Sequence, residues 1–158
     1  LGSSKTLSDD VVNDFMIKHK SDLLLWINPI APLQDYKDID KCIRFFLKNK
    51  SDSLITVNNK KRHFYYNNKP INFNIKNKFL KTQDLPPLEE FVYTVMMWRN
   101  KKFLNFYNKN NYALTSGKFI TFPVNYTSSI IIKDSFDLKL AELILKNKSS
   151  KIKYDKII

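Results

Sequence analysis

Apolar residues recur along this chain in two rhythms, one helical and one extended, and their alternation predicts an α/β domain. Val11, Val12, Phe15 and Met16 follow Ser8-Asp9-Asp10 at helical spacing. That pattern predicts a helix with Ser8 as its cap and two aspartates at the positive end of its dipole. Leu23-Leu24-Leu25-Trp26-Ile27 is an unbroken apolar run, as in a strand buried on both faces. Asn28-Pro29 ends it, because proline has no amide to give to a ladder. A second helix opens at Asp35 and Asp38 and carries Ile39, Cys42, Ile43, Phe46 and Leu47 as one stripe. Ser53-Leu54-Ile55-Thr56-Val57 predicts another short strand. The order helix, strand, helix, strand implies a parallel sheet.

Further on, the rhythm changes. His63–Tyr66 and Ile71–Ile75 flank Asn67-Asn68-Lys69-Pro70 and predict a hairpin. Gln83–Leu88, with Pro86-Pro87, reads as a rigid loop. Phe91–Trp98 reads as a strand, Phe103–Tyr107 as a short helical piece, and Phe119–Val124 and Ile130–Ile132 as strands. A last helix starts at Asp134, with Asp137 three residues on, and carries Phe136, Leu140, Leu143 and Ile144. The pattern gives one domain over 1–147, with a hairpin excursion over about 60–82 and a basic tail over 148–158.

Length agrees with this, since 158 residues suit a single core. No run approaches the roughly 20 apolar residues that span a bilayer, and no signal-peptide pattern opens the chain. The expectation is a cytoplasmic protein with no membrane partner. Leu1-Gly2-Ser3-Ser4 reads as a cloning scar or a trimmed segment, which leaves room for a natural N-terminus upstream. Cys42 stands alone, which rules out an internal disulfide and a Cys-based zinc site.

Net charge is +12, yet every basic residue except Arg44, Arg62 and Arg99 is lysine. Proteins that read nucleic acid favour the arginine fork, and here the lysines are spread out. Only Lys60-Lys61-Arg62, Lys101-Lys102 and the tail form clusters. Drift in an AT-rich genome accounts better for this charge than a nucleic-acid face does. Such a face would use the lysines with Phe64, Tyr65 and Tyr66 and show steep salt dependence. Strand alternation puts at least one of Tyr65 and Tyr66 in the core.

Catalytic chemistry is sparse. Only Gly2 and Gly117 are glycine, so no Gly-rich phosphate cradle exists. His19, between Lys18 and Lys20, suits a helix C-terminus, and His63 has no evident partner. Cys42 lies on an apolar stripe and reads as core. Glu89-Glu90 is a paired carboxylate or, preferably, a solvated loop end. Asp134 and Asp137 have magnesium-ligand chemistry, but a capping box is the preferred reading. No catalytic residue and no metal ligand is assigned.

Three segments in order carry a resemblance. Trp26-Ile27-Asn28-Pro29-Ile30-Ala31-Pro32-Leu33-Gln34 runs into Asp38-Ile39-Asp40-Lys41; Gln83-Asp84-Leu85-Pro86-Pro87 follows the hairpin; and Ile132 leads to Asp137-Leu138-Lys139-Leu140-Ala141-Glu142. Together with Asp10-Val11-Val12, and over Leu7 to Leu145, they resemble the acylneuraminate (CMP-sialic acid) cytidylyltransferase family. The resemblance implies a Rossmann-like nucleotide-diphospho-sugar transferase fold, a mixed α/β sheet with a hairpin excursion. It implies a reaction of CTP with a 2-keto sugar acid, with magnesium, in dimers whose hairpin reaches the neighbouring site.

The departures shape the functional expectation. The family's opening strand and basic, Gly-rich loop have no counterpart before Ser8, so the first βα units are missing. Its two metal aspartates align with Ile131 and Lys133, and its Ser, Arg and Gln with Ala31, Gln34 and Asn28. Lysine at a cation site repels the cation, so no cofactor is expected for this chain. Asn28, Gln83 and Ser8 are the expected remnants of substrate binding. The expectation is a truncated or degenerate cytidylyltransferase-like domain, inactive alone, that binds a nucleotide or sugar acid weakly. The alternative is a non-catalytic interaction subunit, and nucleic-acid binding ranks third. Without its family neighbour, Leu23–Ile27 becomes an apolar edge, which a second copy is expected to cover as a homodimer.

Overall fold

The computed structural model describes residues 5–149. Helix α1 (Ser8–Lys18) leads to β1 (Leu23–Ile27), α2 (Tyr36–Lys48) and β2 (Ser53–Lys60). A small ribbon, β3 (Tyr65–Tyr66) and β4 (Lys69–Pro70), precedes a single 3-10 turn at Thr82–Asp84. Then come β5 (Leu88–Arg99), α3 (Asn100–Asn110), β6 (Phe119–Pro123) and α4 (Ser135–Ser149).

The main sheet has the order β1-β5-β2-β6. β2 and β6 are parallel neighbours, while β5 runs antiparallel to both β1 and β2. The sheet is therefore mixed. β1, β2 and β6 run the same way, as the helix-strand order implies, but the long antiparallel β5 inserts between β1 and β2 and keeps the sheet from being wholly parallel. Strand alternation then builds two cores. Ile55, Met96 and Trp98 face α1 and α3, meeting Val12, Met16 and Phe103. Leu54, Val95 and Met97 face α2, meeting Cys42 and Phe46. Each large side chain buried this way contributes about 1.5–3 kcal/mol. α4 seals a third, smaller cluster through Ala141, against Leu33 and Ile130.

Several local expectations change. Leu7, not Ser8, is the N-cap of α1; the Asp10 carboxylate accepts from the Leu7 amide at 3.2 Å. Asp35 does cap α2, accepting from the Lys37 amide at 2.9 Å. β1 is an edge strand, half-buried with Ile27 exposed, rather than buried on both faces. On the α2 stripe, Leu47 is exposed. Glu89 and Glu90 lie inside β5, not at a loop end. Ile130–Ile132 is not a strand; the Ile130 amide bonds locally to the Thr127 carbonyl at 3.2 Å, and the Ile132 amide ties the segment to the Ile30 carbonyl at 2.8 Å.

The hairpin shrinks to two residues per strand. Asn67 and Asn68 turn with φ of 47° and 59°, the two left-handed positions that a type I′ turn demands and asparagine tolerates. Standing apart from the main sheet, this ribbon has no buried face, so Tyr65 and Tyr66 are both exposed. α4 takes in the first two residues of the supposed tail, and 150–158, like 1–4, lies outside the described residues. No helix among the described residues is long and apolar enough to cross a membrane.

Candidate functional site

In open α/β sheets, ligands settle beyond the carboxyl ends of parallel strands. Here β2 and β6 end side by side, and β2 runs directly into Lys60-Lys61-Arg62. The start of β5 lies against that end, with Asn58 opposite Glu90 and Asn59 opposite Glu89. Lys60 is largely covered; its Nζ sits 3.1 Å from Glu90 Oε2 and 5.1 Å from the centre of the Tyr126 ring. Glu89 accepts from Thr121 Oγ1 of β6 at 3.0 Å, a neutral donor that orients the carboxylate across the end of β2.

The loop carrying Tyr126 is braced from two sides. Buried Asn58 donates from Nδ2 to Ser129 Oγ at 3.1 Å, and Ser129 Oγ donates to the Tyr126 carbonyl at 2.7 Å. From α2, Asp38 accepts from Asn125 Nδ2 at 2.9 Å and Ser128 Oγ at 3.0 Å. Two clefts meet at Lys60 and Tyr126. One, of about 390 Å³, adds Lys61, Arg62 and Asn59. The other, of about 270 Å³, adds Glu90, Lys133 and Asp137.

The residues expected as binding remnants do not gather here. Asn28 ends β1, and its Oδ1 accepts from the Ile30 amide at 3.2 Å, shaping the turn that stops the strand. Gln83 is exposed on the 3-10 turn; its carbonyl accepts from Lys61 Nζ at 2.9 Å, so its backbone, not its amide, borders the basic cleft. Ser8 is exposed on the first turn of α1. None of the three side chains lines either cleft. Gln34, which stands where the family has arginine, donates to the Thr94 carbonyl at 2.9 Å and is part of the framework.

Magnesium, which the resemblance implies, does not fit the donor set near α4. Asp134 Oδ1 accepts from the amides of Phe136 and Asp137 at 2.8 and 2.9 Å. Asp137 Oδ2 accepts from the Lys133 amide at 2.9 Å. Both carboxylates are thus capping groups, and Lys133 shares the cleft with Asp137. Among the described residues, no three His, Cys, Asp or Glu side chains come together as metal ligands do. Cys42 is buried and its thiol is pushed up to about 12 by desolvation, which makes it packing rather than a nucleophile. His63 packs face to face on Phe79 at 4.0 Å and edge-on to Phe73 at 4.9 Å.

Sequence reasoning noted Lys60-Lys61-Arg62 and Glu89-Glu90 separately, but had no means of pairing them across strands. Tyr126, Asn58 and Ser129 carried no local signal.

No protein-family model matches the chain. No curated protein matches it either. Among solved structures it is similar to 4-diphosphocytidyl-2C-methyl-D-erythritol synthase from Anaerococcus prevotii, with a TM-score of 0.63 at 16% identity. The match covers 90% of this chain and 68% of that one. The protein therefore has a Rossmann-like α/β fold similar to that of this cytidylyltransferase.

Proposed function

We propose that this chain is a cytidylyltransferase-like domain, of the acylneuraminate type its three segments resemble, that transfers no nucleotide by itself. The carrying observation is at the start of α4. Asp134 accepts from the Phe136 and Asp137 amides of the first helical turn, and Asp137 accepts from the amide of Lys133 just before it, so both carboxylates serve as caps beside a lysine and not as a pair for magnesium. Charge neutralisation at the α-phosphate is the main work of such a reaction, and a lysine ammonium cannot recruit the cation that does it. Weak binding of a nucleotide or sugar acid remains part of this reading, with Asn28, Gln83 and Ser8 as separate rather than convergent contacts. A cytoplasmic location goes with it, in line with the single, buried and unpaired Cys42.

The test is pyrophosphate release from CTP, N-acetylneuraminate and magnesium. Release no faster than a protein-free blank is expected. Magnesium-dependent release above that blank overturns the proposal.

One observation favours a second role, as a self-associating subunit. The outer side of β1 pairs with no strand among the described residues. Beside it runs an apolar groove of about 330 Å³, lined by Val11, Phe15, Leu24, Trp26 and Ile27. A second copy of β1, antiparallel across a two-fold axis, would satisfy that backbone edge.

A further inference from the structure

Between the carboxyl ends of β2 and β6 lies the cleft of about 390 Å³ whose rim carries Lys60, Lys61 and Arg62. Its charges are unequally engaged. Lys60 is neutralised by Glu90 at 3.1 Å. Lys61 gives one of its three N–H donors to the Gln83 carbonyl at 2.9 Å, a neutral acceptor, and keeps its full charge. The Arg62 guanidinium makes no hydrogen bond or ion pair with any described residue. Two uncompensated cations therefore face one opening, and one of them is a five-donor fork.

The setting is rigid. Asn72, itself buried, donates to the Arg62 carbonyl at 2.7 Å and to the Pro86 carbonyl at 3.2 Å, fixing the backbone that presents the fork. The opposite wall is the Tyr126 loop, held by Asn58 and Asp38 as described above. Tyr126 is 62% exposed, so its ring projects beside the cations instead of filling the core.

We propose that this cleft binds a phosphate monoester dianion, gripped by Lys61 and Arg62 with Lys60 and Tyr126 forming its wall. The match is one of charge and shape. A phosphate monoester carries close to two negative charges at neutral pH and offers several acceptor oxygens to a guanidinium fork. A single carboxylate leaves one cation unmatched. A long polyanion would need a continuous basic track, and the other lysines are scattered. This inference does not depend on the transferase reading.

The experiment titrates CMP, inorganic phosphate and cytidine separately into the protein, following amide ¹H–¹⁵N shifts. CMP is expected to give saturable shifts at 58–62 and 124–129, inorganic phosphate to compete for the same residues, and cytidine to give none. The double variant Lys61→Gln/Arg62→Gln is expected to weaken CMP binding at least about tenfold, the loss of two charge-assisted contacts. Lys101→Gln/Lys102→Gln removes the same charge from α3 and is expected to change it less than about twofold. All four positions are exposed, and thermal melts of both variants are the check that they fold. Equal weakening by the two double variants would mean bulk attraction and overturn the site. So would cytidine binding as tightly as CMP, the absence of saturation at millimolar CMP, or an oligonucleotide that binds far more tightly with a steep salt slope.

Discussion

Thr56 sits where β5 departs from regular pairing with β2. Ile55 pairs with Met96 but Val57 with Phe91, so Val92 to Val95 stand against this one residue. Tyr93 takes a left-handed φ of 51° to make room. A bulge breaks ladder bonds, and a side chain repairs them here: Thr56 Oγ1 donates to the Val95 carbonyl and accepts from the Val95 amide, both at 3.0 Å. Thr56, Thr94 and Val95 are all buried. Thr56→Val keeps the shape but strands two backbone groups. It is expected to lower the unfolding free energy by about 2–4 kcal/mol, while Thr56→Ser costs about half that or less. Urea unfolding with an unchanged m-value checks this; equal stability of Thr56→Val and wild type would refute the repair. Nothing at position 56 announced the role, because a threonine in a strand is ordinary until its partner strand gains extra residues. Cys42 was legible, because its stripe alone places it inside. Lys60 was visible as a charge, but its partner Glu90 is fixed by strand register.

At the scale of elements, α1 shows how polar groups dock a helix. Tyr107 of α3 donates to Asp10 Oδ1 at 2.6 Å, and Asp9 Oδ1 accepts from the amides of Ala113 and Leu114. The Tyr107 hydroxyl, and after it the Leu7 amide, hold the Asp10 carboxyl below its ordinary value of 3.8. The same bond raises the Tyr107 hydroxyl above 10.0. The lowered carboxyl stabilises the fold above its unfolded pKa, and that contribution fades as pH falls through the folded value. The raised hydroxyl stabilises below its unfolded pKa, and that contribution fades as pH rises through the folded value. Tyr107→Phe is therefore expected to melt below wild type by a constant gap from about pH 5 to pH 9, narrowing at both extremes. A gap unchanged from acid to alkali, in melts across the range, would show that the bond does not link α1 to α3. Sequence periodicity did place α1. It read Asp9 and Asp10 as dipole partners alone, because their tertiary acceptor role needs residues about a hundred positions away.

For the whole molecule, the sheet order decides what is left open. With β5 inserted between β1 and β2, β1 becomes the margin, and its apolar groove lies beside α1. If a second copy covers it, light scattering at micromolar concentration gives twice the chain mass of 18.7 kDa. Two chains of charge +12 repel, so added salt is expected to strengthen the association. Ile27→Lys, at an exposed edge position, is expected to yield monomers that melt normally. A monodisperse monomer of the wild-type chain at any salt concentration overturns the dimer.

The sequence by itself determined the elements: periodicity and turn chemistry are local, so four helices, the long strands and the asparagine turn could be read from neighbours in the chain. It also determined the fold class, through three ordered segments. Only the tertiary structure decided strand order, the bulge at Thr56, the separation of Asn28, Gln83 and Ser8, and the meeting of Lys60, Glu90 and Tyr126. Those depend on which strands pair and in what register, and register is settled by burial summed over the whole sheet, not by any one segment.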